Sequence, residues 1–476
     1  MTGSVIIVGG GPVGVATAME CARRGFEVTV VEKATEIYNL PRAIVMDDEI
    51  QRALTLAGAG ADLASVTSPL AGAEFIDTAG TRIIGFDLPP GTVTGLGFAP
   101  VVRYYQPQLE AFLRDCAAAA GVQFLLGEEV TSVSQSKSSV EATLASGSVL
   151  HGSWLIAADG AASPIRKSLG IRFDSLGFDQ DWLVVDVELR DGRGDHLPEV
   201  VQQICDPARP STFVPGHDRY RRWEFQLQPG ESRESMVEPA TVWSLLAPWL
   251  TADDATIVRA VVYRFHATVA SAMRAGRVFI AGDAAHQMPP FLGQGLCSGV
   301  RDAANLAWKL QMVELGRAGD RLLDTYDSER RPHAEGVVAH AADTGRLIDH
   351  LAGRGAGDAD LDSAYGGQRP FPRLAHGMVT GDHLLVGMQM PNIELADGRR
   401  FDDAAGSGFA VVVPEQWGTL DDRFDAWIAL GALVAHGTVL FADGAVVVRP
   451  DRYIASVSTT PDEFQAQTAA LLAHLQ

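Results

Sequence analysis

Residues 4–33 read SVIIVGGGPVGVATAMECARRGFEVTVVEK. Ser4 to Val8 is a short apolar run suited to a buried parallel strand, and a second such run ends in an acid at Glu32. Between them Gly9, Gly11 and Gly14 stand at GxGxxG spacing. That spacing lets the backbone turn tightly, approach a pyrophosphate closely and pack the following helix against the sheet. Pro12 sits near the first turn of that helix, whose N-terminal dipole would lie on the phosphates. The Glu32 carboxylate can accept hydrogen bonds from a ribose 2′-hydroxyl and would repel a 2′-phosphate. Strand, glycine turn, small-residue helix (Ala16, Ala18, Ala22), strand and acid in register describe a dinucleotide cradle in an α/β, Rossmann-like domain.

The rest of the chain is longer than this cradle needs. At 476 residues, a prior of about 150 residues per domain suggests two to four units. The hydrophobic fraction of 47% and charged fraction of 20% are those of a globular protein. A formal net charge of −21 argues against nucleic acid and anionic membrane surfaces as partners. Cys21, Cys116, Cys205 and Cys297 are scattered, with no CxxC and no metal-ligand spacing, so reduced thiols and no metal site are expected. The sequence opens directly on the first strand and has no long uncharged apolar stretch, which predicts a soluble, cytoplasmic protein.

After Glu32, Arg42 falls in a loop where it could reach a dinucleotide phosphate bidentately or remain a solvated loop arginine. Asp47 or Asp48 can cap a helix running to about Ala57. Residues 70–105 alternate apolar and polar as short antiparallel strands do, and Gln106 opens a helix through Cys116. The run Trp154 to Ala158 ends in Asp159-Gly160, delivering a carboxylate where open α/β sheets bind ligands. From about Gly177 longer alternating strands predict a mainly antiparallel sheet forming a second domain. On it, Trp223 and Phe225 share one strand face and either line a substrate pocket or pack in the core.

The chain then returns to its first style. A strand from Val278 to Ala281 ends in Gly282-Asp283, and the loop PPFLGQG offers free backbone N–H groups at a helix start, suiting the electron-accepting edge of a flavin ring. His286 in this region reads as structural or phosphate-facing, with a general base as the other reading. Helices run to about Leu351; a Gly/Asp-rich linker and a small α/β unit without cysteines follow.

Three separated segments carry a resemblance: GGGPVG (9–14), ADGAASPIRKSLG (158–170) and GRVFIAGDAAHQMPPFLGQGLCSGVRDAANLAWKL (276–310). Together they resemble the single-component FAD-dependent aromatic hydroxylases of the para-hydroxybenzoate hydroxylase type. PRAIVMDDE, CDPARP and RRWEF look most like the 3-(3-hydroxyphenyl)propionate hydroxylases, and the tail is similar to the thioredoxin-like C-terminal domain of phenol hydroxylase relatives. The resemblance implies a Rossmann-like FAD-binding domain (1–175 and 271–352, with 70–105 serving the substrate side). It also implies an inserted, mainly antiparallel substrate domain (176–270), a linker (353–369) and a thioredoxin-like C-terminal domain (370–476), structural or an assembly surface.

It further implies that Gly9, Gly11, Gly14 and Glu32 hold the ADP half of FAD, with Arg42 and Gln106 along the cofactor. Asp159 would serve FAD and nicotinamide binding, Gly282-Asp283 the ribityl chain, and Gly293, Gly295 and Leu296 the isoalloxazine edge. Pro289 would lie at the flavin's reactive face. The activity so implied is NAD(P)H- and O₂-dependent hydroxylation of a phenolic acid such as 3-(3-hydroxyphenyl)propionate through a flavin 4a-hydroperoxide. The alternative is a same-fold monooxygenase acting on a polyketide or larger aromatic, including Baeyer–Villiger insertion. Nothing maps onto the tyrosine pair that deprotonates the phenol in the para-hydroxybenzoate enzyme. His217, Tyr220 and His266 are therefore the candidate bases, with NADH versus NADPH and the oligomeric state, a homodimer included, left open.

Overall fold

The computed structural model describes residues 3–40, 42–354, 372–418, 422–439 and 443–476. All but the first two residues of the expected linker 353–369 lie outside the described residues. Strand β1 (Ser4–Val8) sits inside a six-stranded sheet, flanked by β2 (Glu27–Glu32) and Trp154–Ala157, both parallel to it. The sheet continues to Gln123–Leu126 on one side and Val278–Ile280 on the other, again parallel; only the edge pair Arg274–Ala275 runs antiparallel. Ile7, Val30, Leu155 and Phe279 are all fully buried, each apolar side chain contributing about 1.5–3 kcal/mol.

Helix α1 (Pro12–Ala22) lies over β1 and against the long helix Gly295–Glu314. Two glycines set that spacing. A Cβ on Gly14 would stand 1.9 Å from the Gly9 carbonyl oxygen, and one on Gly299 would stand 2.4 Å from Val13 Cγ2. The chain leaves the sheet at three adjacent carboxyl ends, where the Ala158 amide donates to Val8 O and the Ala281 amide to Ala157 O. The cradle loop, the Asp159-Gly160 turn and the Gly282-Asp283 turn therefore converge on one edge.

Facing that edge is an eight-stranded sheet in the order His286–Gln287, Ala255–Ala270, Phe173–Leu189, Tyr220–Gln226, Ser211–Pro215, Val201–Ile204, Gly72–Ile76, Arg82–Asp87. It is antiparallel throughout except for Val201–Ile204, which pairs in parallel with Gly72–Ile76. Two strands of the 70–105 segment thus close its far edge. Helix Pro239–Leu246 covers the outer face, packing Val242 and Leu246 on Trp223, Phe225 and Phe213.

The C-terminal sheet runs Leu433–His436, Ala410–Val413, Ala445–Val448, Ile454–Ser458; the first pair is parallel and the other two antiparallel. With a helix Asp425–Ala429 between its first two strands and a closing helix Pro461–Leu472 capped by Thr460, this is the thioredoxin connectivity. Buried charges seam it to the rest: Arg449 pairs with Glu329 and Asp451, and Asp402 receives both Arg52 and Arg452. The four thiols lie elsewhere. Cys21, Cys205 and Cys297 are buried, and burial pushes Cys21 and Cys205 up to about 12.

Candidate active site

Between the carboxyl edge of the parallel sheet and the inner face of the second sheet lies a cavity of about 330 Å³. Its first wall is backbone. Gly11, Gly160 and Gly295 all line it, and a Cβ built on any of them meets nothing within 4 Å. Gly11 is the N-cap of α1 and Gln294 that of the helix Gly295–Glu314, and neither supplies a side-chain cap. Two helix N-termini therefore open toward the cavity with first-turn N–H groups and positive dipole ends available to phosphate or to an electron-accepting ring edge.

Side chains complete the cradle. Glu32 accepts from the Gly10 amide at 2.6 Å and the Ala34 amide at 2.8 Å, which orients the carboxylate at the end of β2 while each oxygen keeps a second lone pair. Gln106 Oε1 accepts from the Arg42 and Ala43 amides, both at 2.8 Å, fixing the loop that places Arg42 at the cavity wall and over the Tyr38 ring. Asp159 receives the Ile165 amide on one oxygen, while its other is buried with no partner among the described residues; burial raises its carboxyl. Asp283 lines the cavity with its side chain exposed there, and burial of its surroundings pushes its carboxyl up despite His286 and Arg42. Open space over three glycines, two uncapped helix starts and oriented carboxylates fit a flavin dinucleotide.

The loop that leads into helix Gly295–Glu314 is rigidly backed. Gly293, in the left-handed region at φ +64, Gly295 and Leu296 all line the cavity, while Pro289 is buried behind Pro290, which lines it instead. Gln294 is 1% exposed; it donates to Asp47 at 3.1 Å and accepts from Arg301 at 2.9 Å. His286 does not line the cavity: its Nε2 donates to Asp302 at 2.8 Å, and Asp302 also holds Arg330 and the Gly282 amide, all buried.

The substrate side departs from the expected residues. Trp223 and Phe225 face away from the cavity, Trp223 tilted against Phe213 and Trp249 in the core beneath helix Pro239–Leu246. The strand alternates, so their neighbours Arg222 and Glu224 line the cavity instead. Period two was legible in RRWEF, but its phase was not, because a helix from another stretch covers the apolar face. None of His217, Tyr220 and His266 lines the cavity. His217 bonds Ser68 at 3.0 Å and burial lowers it, Tyr220 stacks on Tyr105, and the half-exposed His266 pairs with Asp179. Arg222 gives Nε to Asp186 at 2.7 Å and Nη1 to the Arg42 carbonyl at 2.7 Å, tying the sheet to the cradle loop.

The profile of the family described as "FAD binding domain" matches residues 2–341. A probable NADH-specific resorcinol 4-hydroxylase from Rhodococcus jostii (strain RHA1) is 36% identical over 86% of this chain and 78% of its own. A 3-(3-hydroxy-phenyl)propionate/3-hydroxycinnamic acid hydroxylase from Burkholderia cenocepacia (strain HI2424) is 34% identical over 95% of this chain and 93% of its own. Among solved structures, aklavinone-11 hydroxylase with FAD and aklavinone superposes with a TM-score of 0.83 at 24% identity, 99% of each chain being covered. The flavin-dependent monooxygenase PieE gives 0.81 at 23% identity, with 100% of this chain and 99% of that one covered.

Proposed function

The chain belongs to the FAD-binding-domain family, and from that premise we propose that its cavity hydroxylates a phenolic aromatic acid of the 3-(3-hydroxyphenyl)propionate type. It is an FAD-dependent, NAD(P)H-using aromatic hydroxylase. The observation that carries the reading is the cavity itself: one wall is a backbone cradle for a flavin, and the other a sheet with Phe75, Val201 and Val214 around a few polar groups. Held along the backbone of Gly11, Gly160 and Gly295, FAD would supply hydride acceptance from NAD(P)H and delivery of one atom of O₂ to the ring. The protein's own part is to hold that ring against the flavin loop, exclude water and move a proton.

A second substrate reading has its own observation. The arginine on the sheet wall, Arg222, is already paired with Asp186, and Glu224 stands beside it. That wall suits an uncharged phenol such as resorcinol at least as well as a carboxylate, which would meet an acid there.

No helix of the described residues is long and apolar enough to cross a membrane. The test is anaerobic stopped-flow reduction of the FAD-loaded enzyme by NADH and by NADPH. One of 3-(3-hydroxyphenyl)propionate and resorcinol is expected to accelerate reduction at least about tenfold, roughly 1.4 kcal/mol of barrier. Equal rates with and without every phenol tried would defeat the proposal.

A further inference from the structure

The inner face of the second sheet carries one polar row that cofactor binding does not use. Strand pairing sets Glu224 opposite Thr212 and Thr212 opposite Gln203, so three polar side chains lie abreast on the cavity wall. Two of them satisfy each other, Thr212 Oγ1 donating to Gln203 Oε1 at 2.6 Å. Glu224 is different. It is 4% exposed, and among the described residues no donor hydrogen-bonds its carboxylate; Arg222 Nη1 stands 3.8 Å away. Arg222 cannot swing closer without giving up Asp186 and the Arg42 carbonyl. A buried carboxylate lacking a hydrogen-bond donor is costly, and a hydroxyl entering the cavity would supply one.

We propose that Glu224 is a catalytic residue that receives the hydroxyl proton of the phenolic substrate. The assignment rests on the phenol-hydroxylase reading above. The phenolic O–H bond breaks, the proton joins a Glu224 carboxylate oxygen, and the bonding pair stays on the ring oxygen, raising electron density at the ortho and para carbons. The transfer consumes no oxidant or reductant, and the carboxyl returns its proton to solvent after product leaves. The charged groups facing Glu224 are Arg222 on its own strand, Asp186 on Phe173–Leu189 and Arg259 on Ala255–Ala270. Burial, opposed by Arg222 and Arg259 and assisted by Asp186, pushes its carboxyl up to about 7, where a general base is most effective at neutral pH.

Glu224→Gln keeps the shape and a hydrogen-bond-accepting oxygen but removes the proton acceptor. With FAD bound and whichever of the two phenols stimulates native reduction, that stimulation should persist in the variant. Hydroxylated product per NADH should fall at least about tenfold, with H₂O₂ released instead. Native kcat should rise with pH through about 7. That limb should vanish in Glu224→Gln and return in Glu224→Asp. A ring-fluorinated analogue of the same phenol, ionised at neutral pH, should need no acceptor and be hydroxylated by the variant nearly as well as by the native enzyme. Native-like coupling with an unchanged pH limb in Glu224→Gln would overturn the assignment. Should that variant not retain FAD, a flat native pH profile that fluorination leaves unaltered overturns it equally. If no phenol stimulates the native enzyme at all, the hydroxylase reading falls and Glu224's role with it.

Discussion

Gly11 and Gly14 sit three positions apart in the same turn, and alanine at each would do different damage. Gly14 is pressed against the Gly9 carbonyl, so Gly14→Ala breaks the packing of α1 on β1 whether or not FAD is present. Gly11 has an extended backbone at φ −74 and empty space beyond its Cα, so alanine costs the apoprotein little and intrudes only on the cofactor. Gly11→Ala should unfold within about 0.5 kcal/mol of native as apoprotein, and should lose FAD on dialysis that native enzyme survives. Urea melts of both apoproteins, alongside flavin retention, check this; an apo Gly11→Ala as unstable as Gly14→Ala would contradict it. The spacing of these glycines was legible in the sequence because the fold permits little else there. Glu224 was not, since an acid beside a tryptophan on an alternating strand reads as the wet side until the facing cradle is known to turn that side into a cavity.

At the scale of elements, the loop proposed to meet the flavin edge is held by a relay of side chains on four segments. Gln294 at the helix start meets Arg301 about two turns on; Arg301 grips Asp47 and Glu49, each at 2.7 Å, around the N-terminus of helix Asp48–Leu54. Glu49 then accepts from Tyr453 Oη at 2.6 Å and from Gln389 at 3.1 Å, both in the C-terminal part. Asp47 also caps its helix through the Ile50 amide. Arg301→Met would leave two carboxylates without their cation, at a cost of about 3–5 kcal/mol. We expect denaturant unfolding of the apoprotein to show a loss of that size and the holoenzyme to have a displaced flavin absorption band. A variant as stable as native would mean the relay is decorative. Tandem acids after PRAIVM announced a helix cap, and that is what Asp47 is. Their second duty toward a helix some 250 positions later has no local signature.

Across the whole molecule, several of the buried ion pairs between distant segments are made with acids whose carboxyls stay low. Asp302 is opposed by burial but held down by His286 and Arg330, and Asp47 by Arg301; Glu329 is held down by Arg449 and Lys309. For an acid with a depressed folded pKa, the stability gained is present above its unfolded value of about 4 and is lost as pH falls through the folded value. The contribution of these ion pairs should therefore be nearly flat from pH 7 to about 5 and be lost steeply below 4, whereas Glu224, pushed up to about 7, adds stability as pH falls from 7 toward 5. Equilibrium urea unfolding at several pH values tests this, and Asp302→Asn should flatten the slope below pH 4; a curve that rises on acidification below pH 4 would reverse the sign claimed. The small α/β character of the tail could be anticipated from the chain because strand patterning is local, while its thioredoxin connectivity was an implication of the family resemblance. The seam of Arg449, Glu329 and Asp402 could not, since its members are far apart in sequence and each alone looks like surface. The sheltered thiols have a consequence for an enzyme that leaks H₂O₂ whenever coupling fails. Peroxide oxidises thiolate, not thiol, and a sulfhydryl held protonated to about pH 12 offers it almost none. Cys21 and Cys205 should accordingly survive many futile cycles unmodified, which makes the catalyst's lifetime a property of its packing.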